Sequence, residues 1–146
     1  MGLFDDMFGS SSPKGLTKQE AFMGVLLSAN ASDGYVSDEE ARGMFTIVGR
    51  MKLYENWNED KWRKGIDRLL GMLKRQGVDG LLKQCVAALP EELHQTAFAN
   101  ACDLILADGV VEQEEKEYIG KLWKSLGISG DDARTIVQVM VIKNKG

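Results

Sequence analysis

The residues best placed to do chemistry lie in two short acidic stretches. Asp33-Gly34-Tyr35-Val36-Ser37-Asp38-Glu39-Glu40 recurs 75 positions later (108 less 33) as Asp108-Gly109-Val110-Val111-Glu112-Gln113-Glu114-Glu115. Five of these eight positions are identical. Carboxylates in such stretches bind hard cations, so Asp33, Glu40, Asp108 and Glu115 are the candidate metal ligands, with Ca²⁺ or Mg²⁺ as the ion. Asp38, Glu39, Glu112 and Glu114 are the candidate partner-binding carboxylates. An EF-hand loop is excluded. Counted from Asp33, its third and twelfth positions are Tyr35 and Met44; counted from Asp108 they are Val110 and Ile119. A structural role competes with the metal role. Ser37 and Glu40 have capping-box spacing, and acidic residues suit a helix's first turn. Gly34 and Gly109 suit positive φ at a helix end, and Val36 and Val111 are expected to turn back into the core. Asp33 and Asp108 fit less well, because a carboxylate at a helix C-terminus costs about 0.3–1 kcal/mol unless a turn hydrogen bond or a cation offsets it.

Other chemistry is thinly supplied. The chain has one histidine, His94, so a site with two or three histidine ligands cannot form within one chain. A nucleophilic triad would have to use His94, and no strand–turn–helix elbow accompanies it. An enzyme using Glu40 and Glu115 as paired carboxylates for acid–base or metal-assisted hydrolysis is the catalytic alternative. Cys85 and Cys102 form no CxxC pair and are expected as free thiols in a reducing compartment.

The elements that must position these residues read as helices. Thr17 and Glu20 form a capping box before an apolar stripe of Phe22, Val25, Leu26 and Ala29, with Leu16 placed as a staple. Ser37 opens a second helix carrying Met44, Ile47, Val48 and Met51. A third spans about 58–76, with Trp62, Ile66, Leu69, Leu70 and Leu73 inward, and Gly77 ends it. A short helix follows over about 80–89, ended by Pro90. Further helices carry Leu93, Ala97, Ala101, Leu104 and Ile105, then Tyr118, Ile119, Leu122 and Trp123. A last one, opened by Ser129, carries Ile136, Val137, Met140 and Val141. The expected fold is all-α: one compact bundle of about seven helices with two pseudo-symmetric helix–Asp-Gly turn–helix repeats.

These repeats, Ala29-Asn-Ala-Ser-Asp-Gly34 with Glu39-Glu40 and Leu104-Ile-Leu-Ala-Asp-Gly109 with Glu114-Glu115, resemble the TerB-like tellurite-resistance family. The opening Met1-Gly-Leu-Phe-Asp-Asp-Met-Phe8 is also similar to openings in that family. The resemblance covers roughly residues 17–128. It implies a bacterial stress-response domain with no established enzymatic activity, acidic faces and divalent-cation sites at Asp33, Glu40, Asp108 and Glu115. As partners it implies a membrane protein of the TerC type and calcium-binding TerD-type proteins. The domain also looks like the N-terminal part of a membrane-anchored J-domain co-chaperone, but the His-Pro-Asp motif is missing, since Gln95 follows His94. Tellurite is an oxyanion, so acidic turns would repel it and direct binding there is not expected.

Composition bounds the remaining readings. The 146 residues suit one domain, divided into an N-terminal apolar patch and linker over 1–15 and a helical domain over 16–146. Net charge is −4, which argues against nucleic acid as a partner. The charge is uneven: Arg50–Arg75 holds eight basic and four acidic residues, Gln76–Glu117 two basic and nine acidic. No run is long enough to span a membrane, and no export signal is read, so a cytoplasmic location is expected. Leu3, Phe4, Met7 and Phe8 offer a peripheral contact, through residues 1–8, with the inner face of a membrane, a second non-catalytic reading. The reading carried forward is a non-catalytic adaptor that docks proteins through its acidic face.

Overall fold

The computed structural model describes residues 15–31, 36–107 and 109–146, with Asp38 described through its backbone only. The apolar patch of residues 3–8, Asp33, Gly34 and Asp108 therefore lie outside the described residues. Those described form α1 (Lys18–Asn30), α2 (Asp38–Val48), α3 (Glu59–Ala88), α4 (His94–Leu106), α5 (Gln113–Ser125) and α6 (Gly130–Lys143). Short 3-10 turns at Lys52–Tyr54 and Glu91–Leu93 join α2 to α3 and α3 to α4. Among the described residues there is no strand.

α1 is the axis of the fold. Thr17 Oγ1 accepts the Glu20 amide at 3.1 Å and Glu20 Oε1 accepts the Thr17 amide at 3.0 Å, which satisfies two amides that the helix start would leave unpaired. Every residue from Ala21 to Ala29 is buried. The expected single stripe is thus a helix apolar on all sides, enclosed mainly by α3 and α4, with α2 and α5 also against it. Small residues let the neighbours close in. Gly24 lies against Cys85 and Leu69 of α3, with no room for a Cβ. Ser28 is buried but satisfied, its hydroxyl donating to the Gly24 carbonyl at 2.8 Å.

α3 starts where Asn58 Oδ1 accepts the Lys61 amide at 2.8 Å. The sequence predicts two helices separated at Gly77. Gly77, with φ 78 and ψ 176, breaks the span Glu59–Ala88 where the sequence ends the first of these helices, and the second segment follows it without an intervening loop. A residue with a Cβ is strained at that φ, which is why glycine stands there. Six α-helices are described in place of about seven because these two segments join across the break.

α6 departs from expectation at its end. Ser129 caps it through the Asp132 amide at 3.1 Å. Ile136, Val137 and Met140 pack on the core, but Val141 is 46% exposed, alongside Val139 and Ile142. α6 rests chiefly on α4, so only one narrow face is covered.

Candidate functional site

The two acidic stretches open α2 and α5 in closely similar ways. Glu40 Oε1 accepts the Ser37 amide at 3.0 Å and the Ser37 hydroxyl at 3.2 Å, while the Glu40 amide donates to Ser37 Oγ at 3.0 Å. At α5, Glu115 Oε1 accepts the Glu112 amide at 2.8 Å. Each glutamate is the third helical residue, and each folds back on the amide of its own cap position. The negative charge also sits where the helix dipole favours it. Val36 and Val111 pack against the core, as their spacing predicts. Gly109 has φ 80, and its amide donates to the Leu106 carbonyl at 3.1 Å, ending α4.

Of the four expected metal ligands, Glu40 and Glu115 are described, and both carboxylates hold backbone amides. Their partners Asp33 and Asp108 are outside the described residues. Among the described residues no three His, Cys, Asp or Glu side chains gather as a metal would need. Glu39, Glu112 and Glu114 are exposed, which is the accessibility that docking requires; the Asp38 side chain is not described. Glu114 also borders a cavity of about 370 Å³ between α3 and α5, which it lines with Asp79, Glu117 and Lys121. Lys121 Nζ sits 3.2 Å from Asp79 Oδ1, so one lysine stands among three carboxylates there.

Groups suited to covalent chemistry are held in structural roles. Cys85 and Cys102 are buried and free, and burial pushes each thiol up to about 12. A thiol so poised forms little thiolate at neutral pH and is a poor nucleophile. His94 has one ring nitrogen, Nδ1, 2.9 Å from the Leu126 carbonyl oxygen, and the other, Nε2, 3.0 Å from that of Leu89. Both nitrogens face backbone oxygens that end α5 and α3, which leaves neither aimed at a substrate.

Sequence reasoning missed a second surface. Phe45, on α2, is 47% exposed and packs edge-on against Trp62 of α3, with ring centroids 5.0 Å apart. Phe45 falls between the core positions Met44 and Val48, so the helical stripe passes it by. The available signal was a large aromatic off the stripe, three residues after Arg42.

The chain matches no protein-family model, no curated protein and no solved structure.

Proposed function

We propose that the protein is a non-catalytic adaptor of the TerB-like tellurite-resistance type. It docks protein partners through the acidic turns that open α2 and α5, with Ca²⁺ or Mg²⁺ as a cofactor held at Asp33, Glu40, Asp108 and Glu115. The observation that carries this reading is the matched start of the two helices, where Glu40 and Glu115 fold back on amides at 3.0 and 2.8 Å. Two stretches alike in sequence and in cap geometry support an internal repeat of helix–turn–helix units. The Tyr118 hydroxyl, donating to the Val25 carbonyl at 2.9 Å, joins the helix that leaves the second turn to the helix that enters the first. Exposed Glu39, Glu112 and Glu114 then provide carboxylates for a basic partner surface. TerC-type membrane proteins and TerD-type proteins are the partners that the resemblance supplies.

The test is an amide NMR titration of the metal-stripped protein with Ca²⁺ and then Mg²⁺. Expected are shifts confined to residues 33–40 and 108–115, lost in the Asp33→Asn/Asp108→Asn variant while the remaining spectrum is unchanged. Silence at millimolar cation would remove the metal from the proposal.

A further inference from the structure

The acidic face has a counterpart of different chemistry. α2 and the first half of α3 leave a groove of about 630 Å³ floored by Phe45, Trp62 and Ile66 and rimmed by Arg42 and Arg63. Its floor is rigid. Trp62 is held edge-on by Tyr54 at 5.0 Å and Trp57 at 5.9 Å, and Tyr54 in turn meets fully buried Phe22 at 6.3 Å. A row of rings thus runs from the core to the surface and ends at half-exposed Phe45. A preset aromatic floor loses little freedom when covered, which favours binding. Among the described residues neither Arg42 nor Arg63 is in an ion pair. Aromatic and arginine side chains together are the residues that dominate docking energetics. Glu59 stands at the same groove, where its carboxylate would repel an acid.

We propose that this groove docks an acidic amphipathic helix from a partner protein. Its bulky apolar residues would lie on Phe45 and Trp62, and its flanking carboxylates would pair with Arg42 and Arg63. The occupant is fixed by charge complementarity: two exposed guanidiniums, in no ion pair among the described residues, stand beside an apolar floor and recognise carboxylates beside an apolar stripe, a pattern that a helix presents at i and i+4. The inference is independent of the cation reading. It gives the adaptor two docking faces, an acidic one and a basic-rimmed aromatic one.

A fluorescein-labelled, stapled helical peptide with Leu and Phe at i and i+4, flanked by Glu, is the probe, and the same peptide with Lys for Glu is its control. The full chain is expected to bind the Glu peptide, with amide shifts at 41–46 and 59–66, and to bind the Lys peptide at least tenfold more weakly. Phe45→Ala and Arg42→Glu/Arg63→Glu are each expected to weaken binding at least tenfold. All three positions are at least partly exposed, and an unaltered circular dichroism melt checks the fold. Equal affinity for the two peptides, or shifts elsewhere, would overturn the proposal. So would sedimentation showing that the wild type is a dimer and Phe45→Ala a monomer, since a second copy would then fill the groove.

Discussion

Tyr118 and Val25 are 93 positions apart and joined by a buried hydrogen bond of 2.9 Å from the phenol to the α1 carbonyl. That bond ties α5 to the buried backbone of α1. Burial also raises the Tyr118 pKa well above its ordinary value, so the phenol stays a donor. Tyr118→Phe keeps the ring and removes the bond. It is expected to cost about 0.5–1.5 kcal/mol, or roughly 1–6 °C in Tm for a chain of this size. Calorimetry of the two proteins checks this, and an unchanged Tm would show that the bond contributes nothing.

Gly24 and Cys85 set how closely α1 and α3 approach. A Cβ at Gly24 would overlap Cys85 Sγ and lie 3.1 Å from Leu69 Cδ2. Gly24→Ala is therefore expected to destabilise by about 1–3 kcal/mol, despite alanine's better helix propensity. Adding Cys85→Ala removes the overlapping sulfur and should recover much of that loss. A double-mutant cycle in urea reads the coupling; additive losses would mean that the sulfur is not the obstacle.

His94 sits between the ends of two helices, its ring nitrogens 2.9 and 3.0 Å from the Leu126 and Leu89 carbonyl oxygens, to one of which a neutral imidazole donates. His94→Phe fills similar space but offers no donor. A loss of about 1–3 kcal/mol is expected, as for a partly buried polar group left unsatisfied. His94→Gln, which brings an amide donor, is expected to lose less. If Phe and Gln variants unfold at the same urea concentration, the ring acts by packing alone.

Stability is expected to fall in alkaline solution. Burial pushes Cys85 and Cys102 from about 9 up to about 12, and raises Tyr54 and Tyr118 as well. Below pH 9 both folded and unfolded thiols hold their protons. Above it the unfolded chain ionises while the folded one does not, so unfolding releases protons and the folded state loses ground. Each thiol contributes a slope of about −1.4 kcal/mol per pH unit until pH approaches 12. Urea unfolding at pH 8 and pH 10.5 measures it, and the slope should lessen in Cys85→Ala/Cys102→Ala.

Helix starts were readable because they are written in local chemistry. Thr17 with Glu20, Ser37 with Glu40, Asn58 and Ser129 all cap where their side-chain types predict. The break at Gly77 was equally local, since positive φ singles out glycine. What could not be read depends on contacts distant in sequence. The stripe of Phe22, Val25, Leu26 and Ala29 does not reveal that Ala21, Met23 and Leu27 are also covered, because the covering helices come later. Val141 fits a helical stripe, yet 46% of it stays exposed. At the acidic turns the sequence supplied the carboxylates, and the structure adds the occupation of Glu40 and Glu115 by backbone amides. The groove at Phe45 needed two helices side by side before it could be seen.

The burial of α1 on all sides has a consequence for synthesis. α1 is translated before the helices that cover it, and Tyr118, which lies against it, follows its last residue by 88 positions (118 less 30). At about 5–20 residues per second, the segment waits roughly 4–18 s between its own translation and that of its final partner. Throughout that interval Phe22, Met23, Val25, Leu26 and Leu27 have no finished core to enter. The complete enclosure of α1 therefore waits on α5, which the chain supplies after α2, α3 and α4.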